Sequence, residues 1–213
     1  MDNKNKPGNI APRHREKQKA QTRDMILQSA GNLFEKLGFS GTTMRAVAGE
    51  AGMGYGTIFK HFTNKSDLLA ACLYEGIEKA LADAFHTLPD AASFENRFLH
   101  ITGKLIRFYA ERPSLSKTYI ENILIVDGAW KKIMDSQIEQ FLFKLEEMIQ
   151  TAKNHGEIRK DVDSSLLSLS LFSSYLSMLS FALRAEIFDA DETIRKLGLM
   201  VNLNLTGVLA KQP

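Results

Sequence analysis

Several features that would define a function class are scarce in this sequence. Cys72 is the single cysteine among 213 residues, which excludes a disulfide framework and a cysteine-based zinc or iron–sulfur site and fits a reducing compartment. No uninterrupted apolar run reaches the ~18 residues that a membrane-spanning helix needs, and the polar, basic N-terminus is not a secretory signal. These absences predict a cytoplasmic protein with no membrane partner.

Recognisable catalytic and metal-binding motifs are also missing. The sequence contains five histidines, and none has the spacing of H-E-x-x-H or of another metal site. None of the many serines lies in a G-x-S-x-G motif. We therefore predict that the protein is not an enzyme and has no catalytic residues, no metal and no cofactor.

The charge is distributed unevenly along the chain. Residues 1–65 carry a net charge of +6 and residues 66–213 a net charge of −4, within a total of +2. This asymmetry is typical of a protein whose first part binds a polyanion, although an ordinary basic tail has the same composition.

Apolar residues recur at helical spacing along most of the chain. Residues 1–20 lack this pattern and are predicted to be a flexible basic arm, with helix beginning somewhere after Pro12. Period-two alternation is absent, so we predict an all-α fold. The first helix ends at Gly38, two short helices follow, and a fourth, long helix begins near Ser66. Five further helices are predicted near 91–111, 114–125, 128–154, 162–187 and 190–210.

The segment 43–62 has the pattern of a helix-turn-helix. Ala48 is a small residue where two helices cross, and Gly52 suits a tight turn. Val47, Met53 and Ile58 supply the packing between the helices. The second helix would then present several donor groups and one aromatic side chain, and such a helix fits the major groove of DNA.

These residues resemble the TetR family of bacterial transcriptional regulators. The resemblance covers about residues 22–70 and rests on Gly38-Phe39, Thr42-Thr43-Met44-Arg45, Ala51-Gly52 and Gly56-Thr57-Ile58-Phe59-Lys60-His61-Phe62. It implies a three-helix DNA-binding domain at 21–66, followed by a larger helical effector-binding and dimerisation domain at 67–213. Phe59 stands where relatives often have tyrosine.

The resemblance also implies which side chains contact double-stranded operator DNA. They lie at the start of the second helix, along the third helix, and just before the fourth. The predicted contacts are Thr43, Arg45, Tyr55, Gly56, Thr57, Lys60, His61 and Lys65.

In the family, the middle helices enclose an effector pocket, and here they are rich in aromatic residues. Any one of these aromatics is more often a core residue than part of a pocket. The candidates for the pocket are Phe98, Tyr109, Tyr119, Asn122, Trp130, Phe172 and Tyr175. The resemblance and the spacing of DNA half-sites both favour a homodimer formed through the last two helices, at 162–187 and 190–210.

The expected function is therefore a TetR-type regulator, acting as a repressor that a hydrophobic or aromatic small molecule releases from a palindromic operator. Two alternatives stay open. One is a DNA-binding scaffold or nucleoid-type regulator without an effector, and the other is a helical ligand carrier with a vestigial DNA-binding head.

Overall fold

The computed structural model describes residues 10–122 and 128–207, and side chains at 14–121 and 130–207. These residues form nine helices and no β-strand, which confirms the predicted all-α fold. The helices are α1 (Ile10–Gly41), α2 (Met44–Glu50), α3 (Tyr55–Phe59), α4 (Lys65–His86), α5 (Phe94–Glu111), α6 (Pro113–Asn122), α7 (Gly128–Asn154), α8 (Ser164–Ala182) and α9 (Ala190–Thr206).

The chain divides into two compact units, Met1–Cys72 and Leu73–Pro213. The boundary lies inside α4, whereas the sequence placed it at the start of that helix, after residue 66. Leu68 and Leu69, in the first turns of α4, are fully buried in the first unit. These turns therefore belong to the core of the first unit rather than to the second.

In the first unit, α2 packs against both α1 and α3. Three residues spaced four apart on α1, namely Ile26, Ala30 and Phe34, are fully buried, as expected for one face of a helix. Val47 and Ile58 contribute the buried positions of α2 and α3. The short helices are thus held by a shared apolar core.

The helix α1 begins at Ile10, within the segment predicted to be a flexible arm. Residues 1–9 of that arm lie outside the described residues. Residues 14–20 are exposed although they are helical, so burial does not explain their conformation. The segment is rich in Glu, Lys, Gln, Ala and Arg, which have high intrinsic helix propensity, and it continues into a packed helix.

In the second unit, α5 packs against α6, α7 and α9, while α8 packs against α7 and α9. Ser93, Asp163 and Asp189 cap the N-termini of α5, α8 and α9, each accepting a hydrogen bond from a backbone N–H in the first turn. The five helices lie near their predicted positions, and α8 ends at Ala182, before the predicted residue 187.

Candidate nucleic-acid interface and ligand cavity

The junction between α1 and α2 is fixed by a glycine and two threonines. Gly38 has a φ of 67°, in the left-handed region that favours glycine. The buried Thr42 hydroxyl donates to the Gly38 carbonyl at 2.8 Å. The exposed Thr43 caps α2, and its Oγ1 accepts from the Ala46 N–H at 3.1 Å. The cap leaves the Thr43 O–H proton at the surface for another acceptor.

The turn between α2 and α3 has the geometry that the sequence predicted. Gly52 has a φ of 64°, and the Met53 N–H donates to the carbonyl of Ala48 at 2.9 Å. Ala48 and Val47 are buried. This turn places α3 on the surface of the first unit with only part of its circumference buried.

The outward side of α3 presents both aromatic and polar groups. Tyr55, Gly56 and Lys60 are exposed and Thr57 is half-buried, whereas Ile58 is buried. The Tyr55 and Phe59 rings meet edge to face, with centroids 4.9 Å apart. The Arg45 guanidinium lies 5.6 Å from the centre of the Tyr55 ring, which joins α2 to this surface through a cation–π contact.

The sequence predicted one aromatic side chain on the outer face of α3, and the structure places two there. Phe59 is 44% exposed and Tyr55 is 47% exposed. Residues 55 and 59 are one helical turn apart and share a face, while Ile58 and Phe62 occupy the buried one. The outer face of α3 therefore carries two aromatic rings rather than one.

Gly56 has free space around it. A Cβ added at this position would meet no atom within 4 Å, and its φ is not in the left-handed region. Neither packing nor backbone conformation in the free protein therefore requires glycine here. An external partner that approaches the helix closely would require it.

His61 lies in a cluster of positive charge. Burial, followed by the charges of Lys19, Arg23 and Lys60, lowers the pKa of His61 below its ordinary value of 6.5, so the ring is neutral at pH 7. The sequence did not predict that Lys19 and Arg23 belong to this cluster. Lys19 and Arg23 are four residues apart on α1 and therefore share one helix face, and this spacing is the sequence feature that indicates a cluster of positive charge.

The ammonium group of Lys65 makes its contacts within the first unit. Its ammonium donates to the carbonyls of Phe39 at 2.6 Å and Thr42 at 2.9 Å, and it lies 4.2 Å from the centre of the Phe39 ring. Burial lowers the pKa of Lys65. Two of its three N–H donors therefore stabilise the α1–α2 junction. Only the third N–H is available to donate to a DNA phosphate.

The helix-turn-helix segment matches the family model described as bacterial regulatory proteins, tetR family, over residues 26–72. This segment therefore resembles the DNA-binding part of TetR-family regulators. The chain is 27% identical over 132 residues to the probable HTH-type transcriptional regulator YttP of Bacillus subtilis, covering 60% of this chain and 63% of that protein. It is 25% identical over 141 residues to the HTH-type transcriptional repressor KstR of Mycobacterium tuberculosis, covering 66% of this chain and 62% of the relative.

The match thus spans less than two thirds of the length of each of these relatives. The fold also resembles a solved structure of the transcriptional regulator FadR from Bacillus subtilis in complex with stearoyl-CoA. The TM-score is 0.72 at 16% identity, covering 83% of this chain and 96% of that one. The named relatives are transcriptional regulators, in agreement with the prediction that the protein is not an enzyme.

The second unit contains a cavity of about 240 Å³. Its walls come from α4 to α8 and are mainly aliphatic and aromatic. Its charged lining residues, Lys131 and Asp135, form an ion pair of 2.6 Å. The lining residues are Ile77, Leu81, Leu105, Tyr109, Tyr119, Ile120, Lys131, Met134, Asp135, Gln137, Ile138, Phe141, Phe172, Tyr175, Leu176 and Leu179.

Four of the seven predicted pocket residues, Tyr109, Tyr119, Phe172 and Tyr175, line this cavity. The other three are placed differently. Phe98 is fully buried but does not line it, because it lies seven residues, roughly 10 Å along α5, before Leu105. Trp130 packs edge to face on Tyr74, with ring centroids 5.9 Å apart, and also lies outside the lining. The side chain of Asn122 lies outside the described residues.

The last two helices expose several large apolar side chains. Phe181 on α8 is 68% exposed and Leu203 on α9 is 75% exposed, and Leu166, Leu169 and Leu199 are also exposed. By length and composition alone, α8 is apolar enough to cross a membrane. The search for uninterrupted apolar runs in the sequence did not detect this helix, because serines interrupt its apolar residues. Core helices of globular proteins pass the same test, and α8 packs against α7 and α9.

Proposed function

We propose that this protein is a cytoplasmic, DNA-binding transcriptional repressor of the TetR family. The observation that carries the proposal is the outer face of α3, where Gly56 has open space on an exposed helix. Arg45 contacts the Tyr55 ring on this face, and Lys19, Arg23 and Lys60 lie near His61, just after α3. Such a surface supplies phosphate contacts for affinity and exposed groups for the edges of bases.

The DNA-binding form is a homodimer built through α8 and α9. One helix-turn-helix covers one half-site, and two half-sites one helical turn apart, about 34–36 Å, require two copies related by a two-fold axis. The exposed apolar residues of α8 and α9 support this choice, because a second copy would bury them.

A small, largely apolar molecule in the cavity acts as the effector. FadR was solved with stearoyl-CoA, and KstR is a transcriptional repressor; both support an effector-released repressor here. Ile77 and Leu81 of the cavity lie on α4, the helix that begins at Lys65 in the first unit. An effector with ~100-fold preference for the non-binding conformation would supply about 2.7 kcal/mol of coupling per site.

The structure bears differently on the two alternative functions. A DNA-binding scaffold without an effector would not need the ligand cavity. A ligand carrier with a vestigial DNA-binding head would need neither the Thr43 cap on α2 nor the open space around Gly56. Both features favour a regulator that uses DNA and a ligand.

Selection of bound duplexes from a random pool tests the proposal. The purified full-length protein is expected to enrich a palindrome whose half-site centres are about one helical turn apart. Thr57→Ala and Lys60→Ala are expected to weaken binding to the enriched duplex, and only Lys60→Ala should do so about equally across sequences. If no sequence is enriched at low salt, the proposed function is wrong.

A further inference from the structure

The N-terminal part of α1 carries basic side chains that continue past the packed part of the first unit. Arg15, Lys19 and Arg23, here called the basic row, are spaced four residues apart on this helix, so they lie on one side of it. Arg15 and Lys19 are exposed. From Arg15 to Arg23 the row covers about 12 Å of the helix axis.

The basic row lies on the side of α1 that faces the core further along the helix. Lys19 precedes the buried Ile26 by seven residues and Arg15 precedes it by eleven. These separations are close to two and three whole turns. On this side of α1, cations therefore replace the apolar side chains where the helix extends beyond the core.

One end of the basic row reaches the residues that follow α3. The Arg23 guanidinium lies 5.4 Å from the centre of the Phe62 ring, and the ring centroids of His61 and Phe62 are 6.4 Å apart. After burial, the charges of Lys19, Arg23 and Lys60 are what lowers the pKa of His61. Cations of α1 and of the end of α3 thus converge, and such a concentration of like charge attracts an anionic partner.

The composition of this part of α1 favours phosphates of nucleic acid over a membrane surface. Residues 13–23 contain five Lys and Arg residues and one acidic residue, Glu16, which gives a net charge of +4. Ala20 is the only apolar residue in this segment, so the helix has no apolar face to bury in a bilayer. Phosphates follow one another every 3.4 Å along a DNA strand, so a row of about 12 Å can meet several of them.

We propose that the basic row binds the phosphate backbone of the operator beside the bases that α3 contacts, which extends the DNA-binding surface of each protomer along α1. This inference rests on the proposed function, since it assigns a further contact surface to the same operator complex. Arg15 and Lys19 each neutralise one phosphate. These contacts raise affinity for any sequence and leave the choice of operator to α3.

The salt dependence of DNA binding tests the proposal. Fluorescence anisotropy measures the affinity of the full-length protein for the selected operator and for a scrambled duplex of the same length, at several salt concentrations. Each phosphate contact contributes about 0.9 to the slope of log affinity against log salt concentration. One substitution removes two contacts from a dimer, so Arg15→Ala and Lys19→Ala are each expected to reduce the slope by about 1.8 on both duplexes.

Lys17→Ala is the matched control, because it removes the same charge from the other side of the same segment. Lys17 is exposed and lies about 160° around the helix from both Arg15 and Lys19. This variant is expected to keep the slope of the wild type. Alanine has the highest helix propensity, so α1 stays helical in all three variants, and far-UV circular dichroism verifies this.

Wild-type slopes for both Arg15→Ala and Lys19→Ala would overturn the proposal. An equal loss of slope for Lys17→Ala would also overturn it, because the net charge of the segment rather than the basic row would then determine affinity. If the wild type enriches an operator and the slopes do not change, the inference fails and the regulator stands. If no operator is enriched but the substitutions reduce the slope on the scrambled duplex, the proposed function fails and the phosphate-binding row stands.

Discussion

Gly56 and Phe59 are exposed on α3, and packing within the domain does not require either residue type at these positions. Phe59 illustrates the limit of sequence reasoning, since an aromatic residue in a short helix is usually a core residue. Only the orientation of α3, set by the buried Ile58 and Phe62, places the Phe59 ring at the surface. The periodicity of a five-residue helix is too short to assign its faces beforehand.

Gly56→Ala separates folding from DNA binding. The added methyl meets no atom of the protein, so we expect the free energy of unfolding to stay the same or rise by up to about 1 kcal/mol through helix propensity. We expect affinity for the selected operator, measured by fluorescence anisotropy, to fall at least about tenfold. Gly49→Ala on α2, where space is also open, is the control and should bind as the wild type does. Normal binding by Gly56→Ala would show that DNA does not approach this residue.

The lowered pKa of His61 predicts how DNA affinity and protein stability change with pH. Its pKa in the free protein lies below 6.5, and a nearby DNA phosphate would raise it, so operator binding takes up a proton. Affinity should therefore increase as pH falls from 8 towards 6, by at most about tenfold per pH unit. Stability should change in the opposite sense and decrease below about pH 6.5, because the unfolded chain binds the proton more readily.

His61→Gln keeps a hydrogen-bond donor but does not titrate in this range. Anisotropy titrations across the pH range should show a flatter dependence for this variant than for the wild type. An identical dependence in the two proteins would place the titrating group elsewhere.

At the scale of helices, the sequence predicted most of the fold. The helical spacing of the apolar residues places α5, α7 and α9 within a few residues of their observed bounds. The start of α1 was missed because residues 10–20 have no apolar face to detect. The position of Phe98 relative to the cavity was missed because it depends on how neighbouring helices pack.

Lys65 joins the start of α4 to the α1–α2 junction. Lys65→Ala removes two charge-assisted hydrogen bonds to backbone carbonyls, and we expect a loss of about 2 kcal/mol in the stability of the first unit. Hydrogen exchange of the buried Val47 and Ile58 amides measures this loss. Lys60→Ala, at an exposed lysine, should leave the exchange rates unchanged. The same rates in both variants would mean that the Lys65 contacts do not stabilise the junction.

At the scale of the whole molecule, the apolar faces of α8 and α9 predict a dimer of the 23.9 kDa chain. Leu203→Arg places a charge in the middle of the proposed interface, and burying it there would cost several kcal/mol. We expect this variant to sediment as a folded monomer and the wild type as a dimer. Phe143→Arg, at another exposed apolar residue, which lies on α7, should remain dimeric. A dimeric Leu203→Arg protein would place the interface elsewhere.

The most direct test of the central claim is dimethyl sulfate footprinting of the selected operator, because this reagent modifies guanine N7 in the major groove. If two copies of α3 enter successive major grooves, guanines should be protected in two patches about one helical turn apart, and Gly56→Ala should abolish both. Binding that protects no major-groove guanine, or a single patch only, would contradict the account.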